Sequence, residues 1–339
     1  MTPSAHTGST PPVLALPATS DALNERLVEG LAAVDALLRR EVDHDDEFIA
    51  GANIHLAEAG GKRFRPLLTL LASEVGSGIN DDVIAAATGV ELTHLASLYH
   101  DDVMDEADMR RGAPSANAKY DNSTAILVGD LLFGTASSII ADLGPEAVKI
   151  QARTFIRLCS GQIRDTRRAP DGVDATDYYL QVLADKTGVL IATAARYGAM
   201  FSGCDAETTE TLREYGERLG MAFQLADDLI DIASDPEETG KTPGTDLREG
   251  KQTLPVLYAL ASTDPADARL QELLRSELKD DASLAEALAL LRVHPAMDRA
   301  QERTNAVAAE ATAALDALPS SEAKSALAAL ATSVVTRVG

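Results

Sequence analysis

Apolar residues in this chain recur every three or four positions over long stretches, and the alternation of a half-buried strand is scarce. Leu23, Leu27, Leu31 and Leu38 line one face of a first helix predicted over Asp21–Glu41, with Asp21 placed to cap it. A second, short helix is predicted over Asp45–Glu58 and ended by Gly60 and Gly61. The segment GGKRFRP, Gly60 to Pro66, is a Gly-rich turn that runs into the apolar LLTLLASEVG. Beyond it, a long helix is predicted from Asn80 to Arg111, since neither Gly nor Pro interrupts Val90 to Arg111. Helical spacing continues over Asp121–Ala141, with Phe133 and Ile140 on one face, then over Pro145–Ser160, Asp174–Met200 and Thr208–Asp231. A polar loop rich in Gly and Pro follows, Ser234 to Pro255, and Ala- and Leu-rich helical hairpins fill the rest. The predicted fold class is all-α. No Pro- or Ser-rich linker follows residue 20, so 21–339 is expected to be one domain. Residues 1–20, broken by four prolines and lacking a basic start, are expected to be a disordered tail rather than a signal peptide.

Two of these helices end in acid. Leu98 to Gly112 reads LYHDDVMDEADMRRG, and Leu219 to Asp231 reads LGMAFQLADDLID. Asp101, Asp102 and Asp105 therefore repeat in spacing as Asp227, Asp228 and Asp231. Helical residues four apart share a face, about 6 Å along the axis. Two carboxylates about 5 Å apart at an effective dielectric near 20 repel by about 3 kcal/mol. Water or a cation must relieve that. One such triplet in a chain with 53 acidic residues is ordinarily a solvated face. Two copies, each ending an apolar run, point to a shared hard cation such as Mg²⁺, which takes oxygen ligands and substrate phosphates.

The net charge is −23, which argues against general nucleic-acid binding. The cations present are local: Lys62, Arg63 and Arg65 in the Gly-rich turn, and Arg110 and Arg111 behind the first acidic cluster. His94 shares a helical face with Asp101, either as a satisfied core residue or facing the same cavity. Lys186 interrupts the apolar YLQVLADKTGVLIATAA, either snorkelling to the surface or facing an anion. Cys159 and Cys204 are the only cysteines, which suits buried thiols in a reducing compartment. No uncharged apolar run approaches 18 residues, so no membrane span is expected. There is no Walker-type loop and no Ser-His-Asp ordering. Separate acidic and basic clusters suit metal-bridged diphosphate and its departure as a leaving group.

In GGKRFRP, ELTHLASLYHDDVMDEADMRRG, GDLLF, DKTG, FQLADDLID and GKTPGTDLREGK, from about Leu27 onward, the sequence resembles the trans-isoprenyl diphosphate synthases of the polyprenyl synthetase family. The resemblance implies a bundle of mostly antiparallel helices around a deep central cavity, usually a homodimer. It implies that Asp101, Asp105 and Asp227 ligate Mg²⁺ bridging the allylic diphosphate, with Asp102, Asp228 and Asp231 near it or through water. Arg110, Lys186 and Lys241 would hold that diphosphate. Lys62, Arg65, His94 and Arg111 would hold isopentenyl diphosphate, and Thr187, Gln224 and Lys251 match further binding positions. The allylic diphosphate ionises, the alkene attacks, and a proton leaves to the diphosphate. A bulky aromatic floor, present one turn above the first motif in short-chain members, is replaced here by Ala96 and Ser97. A heptaprenyl to decaprenyl product is therefore expected, with Phe133 and Ile140 as lower floors and Tyr99 turned off the tunnel. A cytoplasmic location with transient membrane-surface contact fits such a product. The alternatives are a geranylgeranyl synthase, a terpene cyclase, a subunit of a hetero-oligomeric synthase, and a metal phosphohydrolase reading of His100-Asp101.

Overall fold

The computed structural model describes residues 19–234 and 243–336. The expected 1–20 tail therefore lies, up to residue 18, outside the described residues, as does Lys241. Of the described residues, 78% are helical. The chain falls into two compact units: residues to Gln151 with 194–209 and 319–329, and 152–193 with 210–318 and the residues from Leu330 on.

In the first unit, α1 (Asp21–Glu41) is capped by Ser20, whose Oγ accepts from Leu23 N at 3.2 Å. Asp21, expected to cap it, instead lies in the first turn, where a negative charge suits the helix dipole. Asp46 caps α2 (Glu47–Glu58), so that helix starts two residues later than expected. Next come α3 (Phe64–Ser73) and α4 (Asp81–Met104), capped by Asn80. The helix α6 (Asn122–Asp142) lies along α4, and glycines set the approach. A Cβ on Gly89 would stand 2.7 Å from Ile140 Cδ1, and one on Gly129 would meet the His100 ring. Leu92, Leu95, Ala96, Tyr99, Leu132 and Ala136 share the buried core here with Leu56 of α2. The Tyr99 hydroxyl donates to Ala52 O, and that ring is buried in the core. By length and mean hydropathy, 1.7, α6 could cross a membrane. Its charged Asp130 near the middle and its buried Leu132, Ala136 and Ile140 make it a packing helix.

The first acidic helix does not continue to Arg111. It stops at Met104, with Asp105 as its C-cap and Glu106 left-handed at φ 49°. Ala107 N donates to Asp102 O at 3.0 Å and Glu106 N to Val103 O at 3.4 Å, which closes the end as a Schellman motif. A two-residue hairpin follows: β1 (Met109–Arg110) pairs antiparallel with β2 (Ala113–Pro114). Its turn residues Arg111 and Gly112 both have positive φ, 55° and 77°, as tight hairpins require. Short α5 (Ala116–Tyr120) joins it to α6.

In the second unit, α7 (Pro145–Asp165) runs five residues past its predicted end. The helix expected over Asp174–Met200 is three pieces: α8 (Ala175–Leu183), a wide π-turn (Ala184–Gly188) and α9 (Val189–Phe201), whose residues from Ala194 on belong to the first unit. The second acidic helix is α10 (Ala206–Ala233). The polar loop after it contains a described short helix, α11 (Thr245–Arg248). Then α12 (Leu254–Leu260), α13 (Ala268–Arg275), α14 (Asp281–Arg292) and α15 (Pro295–Ala314) form the helical hairpins, while most of α16 (Glu322–Val335) belongs to the first unit. Ile232, Leu247, Leu270, Leu288 and Leu291 gather in their core.

Candidate active site

The first unit assembles the end of α4, the Gly-rich turn and the hairpin. His94, Ser97, Leu98 and Asp101 fall on one partly accessible stripe of an otherwise largely buried α4. Asp101 is half-buried and Asp105 exposed at the helix end, one turn apart. Asp102 differs from both. It has no exposed surface, and its carboxylate accepts from Ala116 N at 2.8 Å and from Arg110 Nε at 2.6 Å. Its oxygens fasten the helix end to the hairpin. Arg110 also reaches Asp105, at 3.8 Å.

The cations of this half crowd together. Arg111 Nη1 donates to Leu56 O at 3.1 Å and to Gly60 O. A Cβ on Gly61 would stand 2.8 Å from that nitrogen, so only glycine lets the guanidinium lie against the turn. Burial pushes the Arg65 guanidinium down to about 10; the Glu91 carboxylate opposes that shift and Arg111 adds to it. Its Nε is buried without a partner. Burial, then Arg65 and Arg111, hold the His94 imidazole well below its usual range, so it is neutral at pH 7. Lys62 is exposed at the mouth of the same turn. Arg63 takes a different part: at φ 46° it caps α3, and it pairs with Asp35 at 2.9 Å and Glu91 at 3.0 Å. Glu91, 2% exposed, is the buried counter-charge that sequence reasoning passed over. A carboxylate inside the apolar run of α4 was the available signal.

The second unit holds a cavity of about 330 Å³ lined by Tyr179, Lys186, Thr187, Gln224, Asp228 and Lys251, among others. The Tyr179 hydroxyl donates to Asp228, and Gln224 links Thr187 Oγ1 (3.1 Å) to Asp228 Oδ1 (3.0 Å). Asp227 and Asp231 are half-buried, and Asp228 is 4% exposed. Burial, then the neighbouring Asp246, pushes the Asp228 carboxyl up to about 7 and Asp231 up to about 6. Asp231 also accepts from Thr245 N and Asp246 N, both at 3.2 Å. Lys186 is 2.7 Å from Asp165, and Lys251 is 3.3 Å from Asp246. Tyr179, Asp165 and Asp246 were not singled out in the sequence, because nothing local marks them as cavity residues.

Among the described residues no three carboxylate, His or Cys side chains gather closely enough to hold a metal alone. The donors nevertheless fit a hard cation. They are oxygens, and burial, then the neighbouring Asp246 charge, raises the Asp228 and Asp231 carboxyls, a cost to their ionised forms that a cation would relieve. Such a metal would take one or two carboxylates and complete its shell with substrate phosphates.

A family model, polyprenyl synthetase, matches residues 46–291. The chain belongs to the polyprenyl synthetase family. It is 50% identical to a nonaprenyl diphosphate synthase of Mycobacterium tuberculosis over 91% of this chain and 93% of that one. Among solved structures, it is similar to a geranylgeranyl pyrophosphate synthase from Corynebacterium glutamicum complexed with calcium and isoprenyl diphosphate. The TM-score is 0.85 and the identity 45%, covering 94% and 98% of the two chains. A decaprenyl diphosphate synthase from Rhodobacter capsulatus matches with TM-score 0.86 and 35% identity, covering 94% and 99%. The isoprenoid synthase fold expected from the motifs is thus the fold found.

In this polyprenyl synthetase the four expected chain-length positions separate into two kinds. Ser97 lies on the accessible stripe below Asp101, its Oγ donating to His94 O at 2.7 Å. Phe133 is partly buried against the first core. Ala96 has no exposed surface and belongs to that core, and Ile140 packs on Gly89. Ala96 and Ile140 are helix-packing residues here, and Ser97 is the small residue that stays partly exposed.

Proposed function

We propose that this protein condenses isopentenyl diphosphate with an allylic diphosphate, farnesyl or geranylgeranyl, head to tail. It repeats the addition to an all-trans polyprenyl diphosphate of heptaprenyl to decaprenyl size, suited to quinone side chains. The observation that carries the reading is the cationic box of Arg65, Arg111 and His94, in which a buried guanidinium nitrogen has no partner. A buried guanidinium nitrogen without a partner is costly, and an anion such as a diphosphate relieves it. Lys62 and Arg65 supply full charge, and neutral His94 supplies a single directional N–H.

The carboxylates of Asp101, Asp105 and Asp227 would hold Mg²⁺, with Asp228 and Asp231 behind. The metal supplies charge neutralisation to a departing diphosphate. Arg110 is braced by Asp102 and aimed past Asp105, which fits it to grip the allylic diphosphate. Lys186, on the cavity wall, fits the same task; Lys241 is assigned to it from the motif alone. Thr187 and Gln224 orient one another, and Lys251 closes the cavity's edge. The absence of an aromatic at Ser97 supports a long product, as does the likeness to nonaprenyl and decaprenyl synthases. Exposed Ile126, Leu127 and Leu131 on α6 suit a homodimer contact, and free thiols at Cys159 and Cys204 suit the cytoplasm.

The test is incubation of purified protein with Mg²⁺, farnesyl diphosphate and labelled isopentenyl diphosphate, with the product sized by chromatography. Chains of 35 to 50 carbons, roughly seven to ten isoprene units of one helical turn each, are expected. Cyclised product without isopentenyl uptake would establish a terpene cyclase, and no product from the lone chain a subunit of a hetero-oligomer.

A further inference from the structure

Three observations in the second unit meet at one turn. The chain widens from Ala184 to Gly188 into a π-turn between α8 and α9. Such turns have a poorer hydrogen-bond ladder than the α-helix and persist where their surroundings hold them, often at functional sites. The surroundings here leave room for it. A Cβ on Gly161 of α7 would lie 2.6 Å from Lys186 N and 2.8 Å from the Asp185 carbonyl carbon. A Cβ on Gly220 of α10 would lie 2.8 Å from Gly188 Cα.

The third observation is an ion-pair brace behind the turn. Asp185, 4% exposed, accepts from Arg157 Nε at 2.9 Å and Arg164 Nη1 at 2.5 Å, both on α7. Arg157 also pairs with Glu217 of α10 at 2.7 Å, and Glu217 is held again by Arg213 at 2.7 Å. Asp185 takes no part in lining the cavity, whereas the next two residues, Lys186 and Thr187, both line it. In a regular helix consecutive side chains diverge by about 100°. The extra residue in the wide turn narrows that angle, so two neighbours can serve one cavity.

The geometry points to Asp185 as a positioning residue for allylic diphosphate binding: gripped by Arg157 and Arg164, it anchors the back of the π-turn and thereby aims Lys186 and Thr187 into the cavity. This rests on the reading of Lys186 as a ligand of the allylic diphosphate. Asp185 itself touches no substrate. Its loss relaxes the turn toward a regular helix and swings Lys186 away from the position that Asp165 marks at 2.7 Å.

Asp185→Asn and Gly161→Ala perturb the turn independently, one by removing the brace and the other by pushing from α7. Steady-state kinetics would vary farnesyl diphosphate and isopentenyl diphosphate separately. Calorimetry with the unreactive farnesyl thiolodiphosphate and Mg²⁺ would read binding alone. Each variant is expected to raise KM for the allylic substrate and Kd for the analogue about tenfold, the weight of one misdirected charge-assisted hydrogen bond. KM for isopentenyl diphosphate should stay unchanged. If Asp185→Asn does not fold, Arg157→Met, whose side chain is 38% exposed, reports the same split. Equal changes in both KM values, or a lower Tm with both KM values intact, would overturn the positioning role. Lys186→Ala run alongside separates the two readings: an unchanged allylic KM there sinks the assignment of Lys186, whatever Asp185 does.

Discussion

Replacing Asp228 by Asn tests whether the second acidic helix is a charge trap awaiting a cation. The Asp228 carboxyl titrates at about 7 in the folded chain, against an ordinary value of 3.8. A folded-state pKa raised in this way means that the native chain binds the proton more tightly than the unfolded chain. Stability from this group is therefore greatest at low pH and is lost as pH rises from about 4 to about 7. Three pKa units correspond to about 4 kcal/mol, an upper bound before the site relaxes. Asn resembles the protonated acid in shape and charge. It keeps an acceptor for the Tyr179 hydroxyl but presents a second donor near Gln224, which costs about 1 kcal/mol. Without divalent metal, the variant should match wild type near pH 5. At pH 8 it should be more stable by about 2 kcal/mol, a rise in Tm of several degrees. Scanning calorimetry in EDTA at both pH values gives the comparison, and other titrating groups cancel in the difference. With Mg²⁺ and diphosphate present the order should reverse, since only wild type gains the full ligand linkage. A Tm difference that is the same at pH 5 and pH 8 would refute the reasoning.

Arg65→Met removes a buried cation whose Nε has no partner, so the fold should lose little or nothing. KM for isopentenyl diphosphate should rise about 30- to 100-fold, the loss of a charge-assisted contact worth 2–3 kcal/mol, measured by initial rates. Ser97→Phe should shorten the product to about four isoprene units or fewer, because the residue stands one turn, about 6 Å, below Asp101; an unchanged product profile counts against that placement. Ala96→Phe should instead lower Tm by overpacking the first core, a cost of about 1–3 kcal/mol, since Ala96 has no exposed surface. Chelation of divalent metal should abolish turnover yet leave isopentenyl diphosphate bound to the protein, detectable by equilibrium dialysis, because its box is built from side-chain cations.

What could be read from residue order, and what could not, follows from the range of the forces involved. Both acidic helices were legible because i, i+4 spacing is a local property, and so was the cationic turn. The end of α4 was not. Propensity alone allows Glu106 to Arg111 to stay helical; the chain turns there because Asp102 is captured by Ala116 N and Arg110, a partnership across the hairpin. The same capture makes Asp102 a structural member of the triplet, beside half-buried Asp101 and exposed Asp105, which the spacing alone does not show. Small residues show the same ambiguity. Ala96 and Ser97 are adjacent and equally small, yet one fills the seam of two helices and the other faces open space, and only the helix phase relative to α6 decides which. The π-turn is the sharpest instance. Polar ADKTG inside an apolar run marks a place where a regular helix would bury charge, but the remedy lies elsewhere in the sequence. Glycine at 161, glycine at 220 and arginines at 157 and 164 are each unremarkable in their own helices. Their meaning appears only when α7 and α10 close on the turn, which is why substituting Gly161, a residue with no chemistry of its own, should disturb the allylic subsite as much as substituting the charged Asp185.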